Sequence, residues 1–218
     1  MTIPVLTIDG PSGAGKGTVS RAVAKQLGWN YLDSGSIYRS LAIAILEQKI
    51  ALADVCAITK VAQAMQLKFE CGDELVVLLN DVDITAQLVT ETVGNTASVI
   101  AAYPDVRDAL LQKQKDFKKA PGLVADGRDM GTVVFPDAAN KVFLTASSEE
   151  RAKRRYKQLI EKGISANLDG ITKEIEARDK RDSERKTAPL IAADDALTID
   201  SSDLPINQVI EAVLNLVR

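Results

Sequence analysis

The sequence predicts an α/β fold in which a five-stranded parallel sheet is flanked by helices, with a small antiparallel insert and a helical lid. Three observations lead to it. Short apolar runs rich in β-branched residues alternate with segments of helical period, the pattern of βαβ units. A glycine-rich turn joins the first run to the first helical segment. Between Gln66 and Val89 the pattern changes to short strand-like runs separated by turn residues.

The sheet is built from Pro4 to Asp9, Asn30 to Leu32, Leu123 to Asp126, Lys141 to Thr145 and Ala196 to Asp200. After the first run, Val19, Ala22, Val23 and Leu27 follow a helical period, and Gly28 supplies the stop. Ile37, Leu41, Ala44 and Ile45 repeat the period in a second helix. In the insert, LKFE and ELVVLLN are the strands, with turn signals at Gly72-Asp73 and Asn80-Asp81. With no internal repeat, low-complexity stretch or linker, residues 1–218 are expected to form one domain against which the insert packs.

Composition excludes several classes of function. The 27 Lys and Arg against 30 Asp and Glu leave a net charge of −3, so no overall basic field invites a nucleic-acid polymer or an anionic membrane. Any phosphate site must be local. Cys56 and Cys71 lack a CxxC spacing and the chain has no histidine, which removes the usual partners for zinc or for a nucleophilic thiol. The longest apolar run, Leu41 to Leu46, is far short of a membrane span, and no basic segment leads into a signal-peptide core. A cytoplasmic, soluble protein is expected, acting as a monomer.

The strongest local signal is Gly10-Pro11-Ser12-Gly13-Ala14-Gly15-Lys16-Gly17-Thr18, directly after a predicted strand and before a predicted helix. That context is what a phosphate-binding P-loop needs. Glycines let backbone N–H groups converge on phosphate oxygens, the helix N-terminus adds positive potential, and Lys16 can reach the terminal phosphates. A plain strand-to-helix turn has no use for the lysine. The fold is thus of the P-loop NTPase type. Gly17 stands where the usual motif has a magnesium-binding hydroxyl, so no protein ligand for a metal is assigned. Asp9 and Asp126, each at a strand end, are candidates to position metal-bound water, or equally are ordinary polar strand ends.

A second constellation lies toward the C-terminus. Arg178, Asp182 and Arg185 are spaced i, i+4, i+7 and share a helix face with Ile171 and Ile175. A face that turns from apolar to charged while Lys173, Glu174 and Lys180 occupy the other sides needs partners for its charge. Upstream, Arg154 and Arg155 lie off an apolar stripe of Ala152, Tyr156, Leu159 and Ile160, as an arginine-bearing lid requires; an ordinary charged helix face fits each arginine singly.

The GKGT loop resembles that of adenylate kinase and other nucleoside monophosphate kinases. Asp33-Ser-Gly-Ser-Ile-Tyr-Arg39, Ala125-Asp-Gly-Arg-Asp-Met-Gly-Thr132 and Arg178-Asp-Lys-Arg-Asp-Ser-Glu-Arg185 narrow the resemblance to bacterial-type cytidylate kinases over essentially the whole chain. The resemblance implies ATP with Mg2+ as phosphoryl donor and CMP and dCMP as acceptors. It implies that residues 10–18, Arg154 and Arg155 hold ATP, and that Lys16, Arg128 and Arg185 are catalytic. Arg39, Arg128 and Arg185 would hold the acceptor phosphate. Ser98, Arg107 and Asp129 would read cytosine, Arg178 and Asp182 would contact ribose, and Ser34 and Tyr38 would complete the pocket. It also implies an acceptor-binding region over 34–100 and a lid over 149–163.

Such a kinase needs alignment and charge neutralisation and no histidine base, because a monophosphate, with a second pKa of about 6, brings its own anionic nucleophile. Two rivals remain at this level. One is a P-loop kinase acting on a metabolite hydroxyl, with Asp33 or Asp126 as base. The other is a nucleotide-dependent switch, for which Gly17 lacks the metal-binding hydroxyl.

Overall fold

The computed structural model describes residues 2–71, 75–161 and 163–217. The chain divides into two compact units, one formed by Met1–Leu32 with Lys118–Arg218 and one by Asp33–Phe117.

The first unit holds the five-stranded parallel sheet. Its strands are β1 (Val5–Asp9), β2 (Asn30–Asp33), β6 (Leu123–Gly127), β7 (Asn140–Thr145) and β8 (Leu197–Asp200), in the order β2-β6-β1-β7-β8. Each lies within a residue of its predicted position. The central strands are legible because parallel strands are covered on both faces and read as near-continuous apolar runs: every residue of β1 and β6 is buried. The parallel registers place Asp9 opposite both Gly127 and Phe143, so the carboxyl ends of the three central strands lie side by side. α1 (Lys16–Leu27) buries Val19 and Val23 and ends at Gly28, whose left-handed φ of 66° lets its N–H reach the Ala24 and Lys25 carbonyls.

α6 (Ser148–Glu161) and α7 (Leu168–Glu184) pack on each other. Of the expected stripe on α6 only Ala152 is fully buried. Tyr156 and Ile160 are 37% and 47% exposed, whereas Arg151 and Ala152 are buried. Only the first turns of α6 enter the core, so the apolar residues farther along have no surface to cover them. α7 does carry the expected face, with Ile171 and Asp182 buried. α8 (Ile206–Val217), not anticipated above, buries Val209, Val213 and Leu214 and packs against α1.

The second unit begins with α2 (Ser34–Glu47), whose N-cap is Asp33: the carboxylate accepts from the Ser36 N–H at 3.0 Å and from the Ser36 hydroxyl at 2.7 Å. α2 buries Ile37, Leu41 and Ile45 and packs against α4 (Glu91–Ile100), while α3 (Val55–Ala64) packs against α5 (Pro104–Lys115). The expected antiparallel insert is a three-stranded sheet of β3 (Leu67–Cys71), β4 (Leu75–Leu79) and β5 (Val82–Asp83), followed by a 3-10 turn at Gln87–Val89. Asn80 and Asp81 take φ values of 49° and 66°, the two-residue hairpin their identities favour; the Gly72-Asp73 signal lies outside the described residues. Phe69 of β3 meets Phe117 edge-on at 5.0 Å, which seats the insert on its own unit.

Candidate active site

At the carboxyl end of β1 the chain turns through residues 10–15 into α1. Gly10 has φ 148°, and a Cβ there would sit 1.9 Å from the Leu144 carbonyl oxygen, so the loop enters against the backbone of β7 in a way only glycine permits. Gly13 (φ 80°) packs on the side chain of Arg151, where a Cβ would lie 3.1 Å from the Arg151 Cβ. Lys16 is 6% exposed, and its Nζ donates to the Pro11 carbonyl at 2.8 Å. The amine thus folds back onto its own loop, where phosphate oxygens would replace the carbonyl as its acceptor.

Buried polar contacts hold this loop from outside. Arg151 donates from NH1 to the Ser12 carbonyl at 3.0 Å and from Nε to the Ala146 carbonyl at 2.9 Å. Ser201, just past β8, contacts the Ala14 carbonyl at 3.1 Å and the Thr145 carbonyl at 3.0 Å through its hydroxyl. Arg154 in turn donates to the Ser201 carbonyl at 2.5 Å. Neither Arg151 nor Ser201 stood out in the sequence. An arginine in the run Glu149 to Lys157 reads as one more solvated charge, and its loop partner is 139 residues away.

Asp9 is 5% exposed and accepts from the Met130 and Gly131 N–H groups, one on each carboxylate oxygen, both at 2.8 Å. It therefore fixes the start of the Met130–Val134 π-helical turn and the loop that carries Arg128 and Asp129. Burial pushes its carboxyl from the ordinary 3.8 up to about 6; the Gly131 and Met130 amides pull it back, the Asp129 charge adds to the rise and Lys16 opposes it. Between these two values the folded chain holds a proton that the unfolded chain releases. Stability from this group is therefore greatest at low pH and is lost as pH rises through about 6. The span corresponds to about 3 kcal/mol. The stability difference between wild type and Asp9→Asn, measured by urea titration, is expected to move toward the variant by roughly that amount from about pH 4 to 7. The variant's altered hydrogen bonds are constant with pH, so a flat difference would count against the shift.

Arg128 leaves the end of β6 and donates from Nε to Asp182 Oδ2 at 3.1 Å. Asp182 is 4% exposed and lies 4.0 Å from the Arg178 Nε. Burial alone would raise the Asp182 carboxyl, but Arg128 and Arg178 together hold it below the usual carboxylate value. For Arg128 burial opposes the charge, yet Asp182 more than compensates and the guanidinium is pushed above its ordinary value. Asp129, 3% exposed, lies 3.8 Å from Arg185 NH2 through its Oδ1, and Arg185 Nε donates to the Ala188 carbonyl at 2.6 Å. Neighbours in sequence, Arg128 and Asp129 therefore pair with different residues, Asp182 and Arg185. The charged face expected on α7 is brought against the loop of residues 127–132: Arg128 and Arg178 flank the buried Asp182, and Arg185 lies beside the buried Asp129.

In the second unit, Arg39 donates from NH1 to the Leu88 carbonyl. Arg107 is 8% exposed; its NH1 reaches the Ala101 carbonyl at 3.3 Å and its guanidinium stands 5.9 Å from the Tyr38 ring centroid. Ser98 is buried on α4. Ser34 donates to Gln114 Oε1 at 2.7 Å, and since Asp33 is the helix cap, Ser34 is free of that duty. Arg155, expected beside Arg154, is half-buried on α6.

The cytidylate kinase family model matches residues 6–218. The chain belongs to the cytidylate kinase family. A cytidylate kinase of Methylococcus capsulatus is 58% identical, covering 100% of this chain and 98% of its own. One from a Shewanella species (strain MR-4) is 52% identical over 99% of this chain and 95% of its own. A solved shikimate kinase of Acinetobacter baumannii aligns at a TM-score of 0.46 with 16% identity, covering 99% of this chain and 93% of the other. As in other P-loop kinases of this family, ATP is the co-substrate. Among the described residues of this cytidylate kinase chain no helix is long and apolar enough to cross a membrane, and no group of three or more acidic, Cys or His residues could hold a metal.

Proposed function

We infer that the chain transfers the terminal phosphoryl group of ATP to CMP. The observation that carries this reading is a phosphate loop with its lysine folded back on it, in the same unit as three arginines paired with two buried aspartates. Paired arginines keep guanidinium forks desolvated and aimed, ready to exchange a carboxylate for a phosphate of matching geometry.

The residues divide by role. The loop 10–18, with Arg154 and Arg155, binds ATP, and Lys16 neutralises charge on the transferred group. Arg39, Arg128 and Arg185 hold the acceptor phosphate. Arg178 and Asp182 contact the ribose. Asp129, Ser98 and Arg107 read cytosine, and Ser34 and Tyr38 complete the acceptor pocket. Residues 1–218 act as one kinase domain, with 34–100 as its acceptor region and 149–163 as its lid. Because Arg151 and Arg154 are tied to the loop and to Ser201, closure belongs to the part of the lid beyond Arg154. We take dCMP as a second acceptor and the enzyme as a cytoplasmic monomer acting on free nucleotides.

The donor set suits Mg2+ held mainly by phosphates and water. Both Asp9 oxygens accept from backbone amides, so Asp9 holds the turn at Met130 in place. The space beside Gly17 faces Asp126, whose Oδ2 would lie 3.6 Å from a Cβ there. Asp126 is then the carboxylate placed to orient water on a Mg2+ that keeps most of its hydration. When bound, the ion would share with Lys16 the neutralisation of phosphate charge. Of the two candidate bases in the rival hydroxyl-acceptor reading, Asp33 already has a structural duty as the cap of α2 through Ser36.

ADP release measured with ATP and a panel of CMP, dCMP, UMP and cytidine tests the reading. Turnover is expected with CMP and dCMP and none with cytidine, which lacks the anionic nucleophile. Robust turnover of cytidine would replace it with a hydroxyl-acceptor kinase. In the same assay Asp129→Ala should lower the CMP/UMP ratio of kcat/KM by roughly tenfold, since a carboxylate facing the exocyclic amine favours cytosine over uracil. Loss of the Arg185 contact affects both substrates alike, so an unchanged ratio would remove the base-reading role.

A further inference from the structure

Arg151 has no role in the assignment above, yet it is the most deeply engaged cation of α6. Its side chain is 5% exposed, and three of its nitrogens donate to three separate elements: the Ala146 carbonyl after β7, the Ser12 carbonyl of the phosphate loop, and Asp179 Oδ2 of α7 at 2.5 Å. The first two bonds place it against the donor loop, where Gly13 leaves room for its stem. The third reaches the helix that presents Arg178 and Asp182 one residue before and three residues after Asp179. Asp179 Oδ1 is buried with no hydrogen-bond partner, so the hold of this carboxylate on its position runs through Arg151. α7 is thereby pinned twice within its unit, at Asp179 to the phosphate loop and at Asp182 to Arg128.

We propose that Arg151 and Asp179 are positioning residues that link the ATP loop to the acceptor-binding face of α7. Neither touches substrate. The guanidinium fork fixes the direction of the Ser12 peptide, which sets where the loop's N–H groups point. Through Asp179 the same fork fixes the rotation and height of α7, which sets where Arg178 and Asp182 stand. Lysine cannot substitute, because one ammonium cannot meet three acceptors lying in the plane of a fork. The inference rests on the reading that Arg178 and Asp182 contact the acceptor.

The test is a split between the two Michaelis constants, measured for Asp179→Asn, Arg151→Lys and, as a reference, Asp182→Asn. Asp179→Asn leaves the bonds from Arg151 to Ser12 and Ala146 in place, so KM for CMP should rise at least about threefold with KM for ATP within about twofold of wild type. Arg151→Lys should raise both, and combining it with Asp179→Asn should add little to the CMP effect. A merely structural role would lower the melting temperature of both variants without separating the two constants. A raised KM for CMP in Asp182→Asn beside a normal one in Asp179→Asn would overturn the link alone. An unchanged KM for CMP in Asp182→Asn would overturn the acceptor reading, and the link with it.

Discussion

Replacing Lys16 by alanine lowers kcat/KM for CMP phosphorylation by at least about a hundredfold while the far-UV circular dichroism stays as in wild type. Phosphoryl transfer spreads charge over the equatorial oxygens of the moving group, and the site supplies little besides positioning and neutralisation. Lys16 is the cation of the loop itself, buried and held at the Pro11 carbonyl, and a buried charge is screened less than an exposed one. Its loss removes the hydrogen bond to the Pro11 carbonyl, about 1 kcal/mol, from a loop that keeps its other holds at Arg151 and Ser201. Activity within about threefold of wild type would take the loop lysine out of the mechanism.

Arg128→Ala should be nearly as damaging, with kcat/KM falling on the order of a hundredfold for CMP and for UMP in parallel, since a phosphate contact does not distinguish the bases. Stability falls as well. Asp182 is buried, and Arg128 is a cation hydrogen-bonded to it; stripping one partner from a buried pair costs about 3–5 kcal/mol. Arg128→Lys separates the two effects. It keeps a charge near Asp182, and so much of the stability, but loses the fork, and so most of the activity. Full kcat/KM in a folded Arg128→Lys variant would show that the guanidinium serves the fold alone.

The strands and the phosphate loop were legible because their signals are local. A buried parallel strand must be apolar along its length, and residues 10–18 must be small where the backbone approaches phosphate. The charged face of α7 was legible from spacing, since Arg178, Asp182 and Arg185 follow Ile171 around one helix. What escaped was pairing over distance. That Arg128 meets Asp182 while Asp129 meets Arg185, that Asp9 caps a turn instead of facing solvent, and that Arg151 is buried all depend on which segments the fold brings together. The α6 stripe misled because periodicity shows that a helix could bury a face without showing how far the core extends along it. α8 is the reverse case: Val209, Ile210, Val213 and Leu214 are spaced for a buried face and were there to be read.

The strand order bears on how the chain assembles as it is made. β1 lies at the middle of the sheet and β2 at its edge, and the neighbour they share is β6, which begins at Leu123. Neither strand has a partner in the sheet until synthesis has passed the whole of Asp33–Phe117. The second unit, whose sheet and helices pair with their own near neighbours, can therefore close first, and the nucleotide loop is shaped only later, when β6 and β7 arrive to flank β1. Its last clasp, Ser201 on the Ala14 carbonyl, comes from the final twelfth of the sequence, just ahead of α8. A chain stalled anywhere before β8 carries the loop's glycines and lysine without the scaffold that makes them a binding site, so nascent fragments are not premature consumers of ATP.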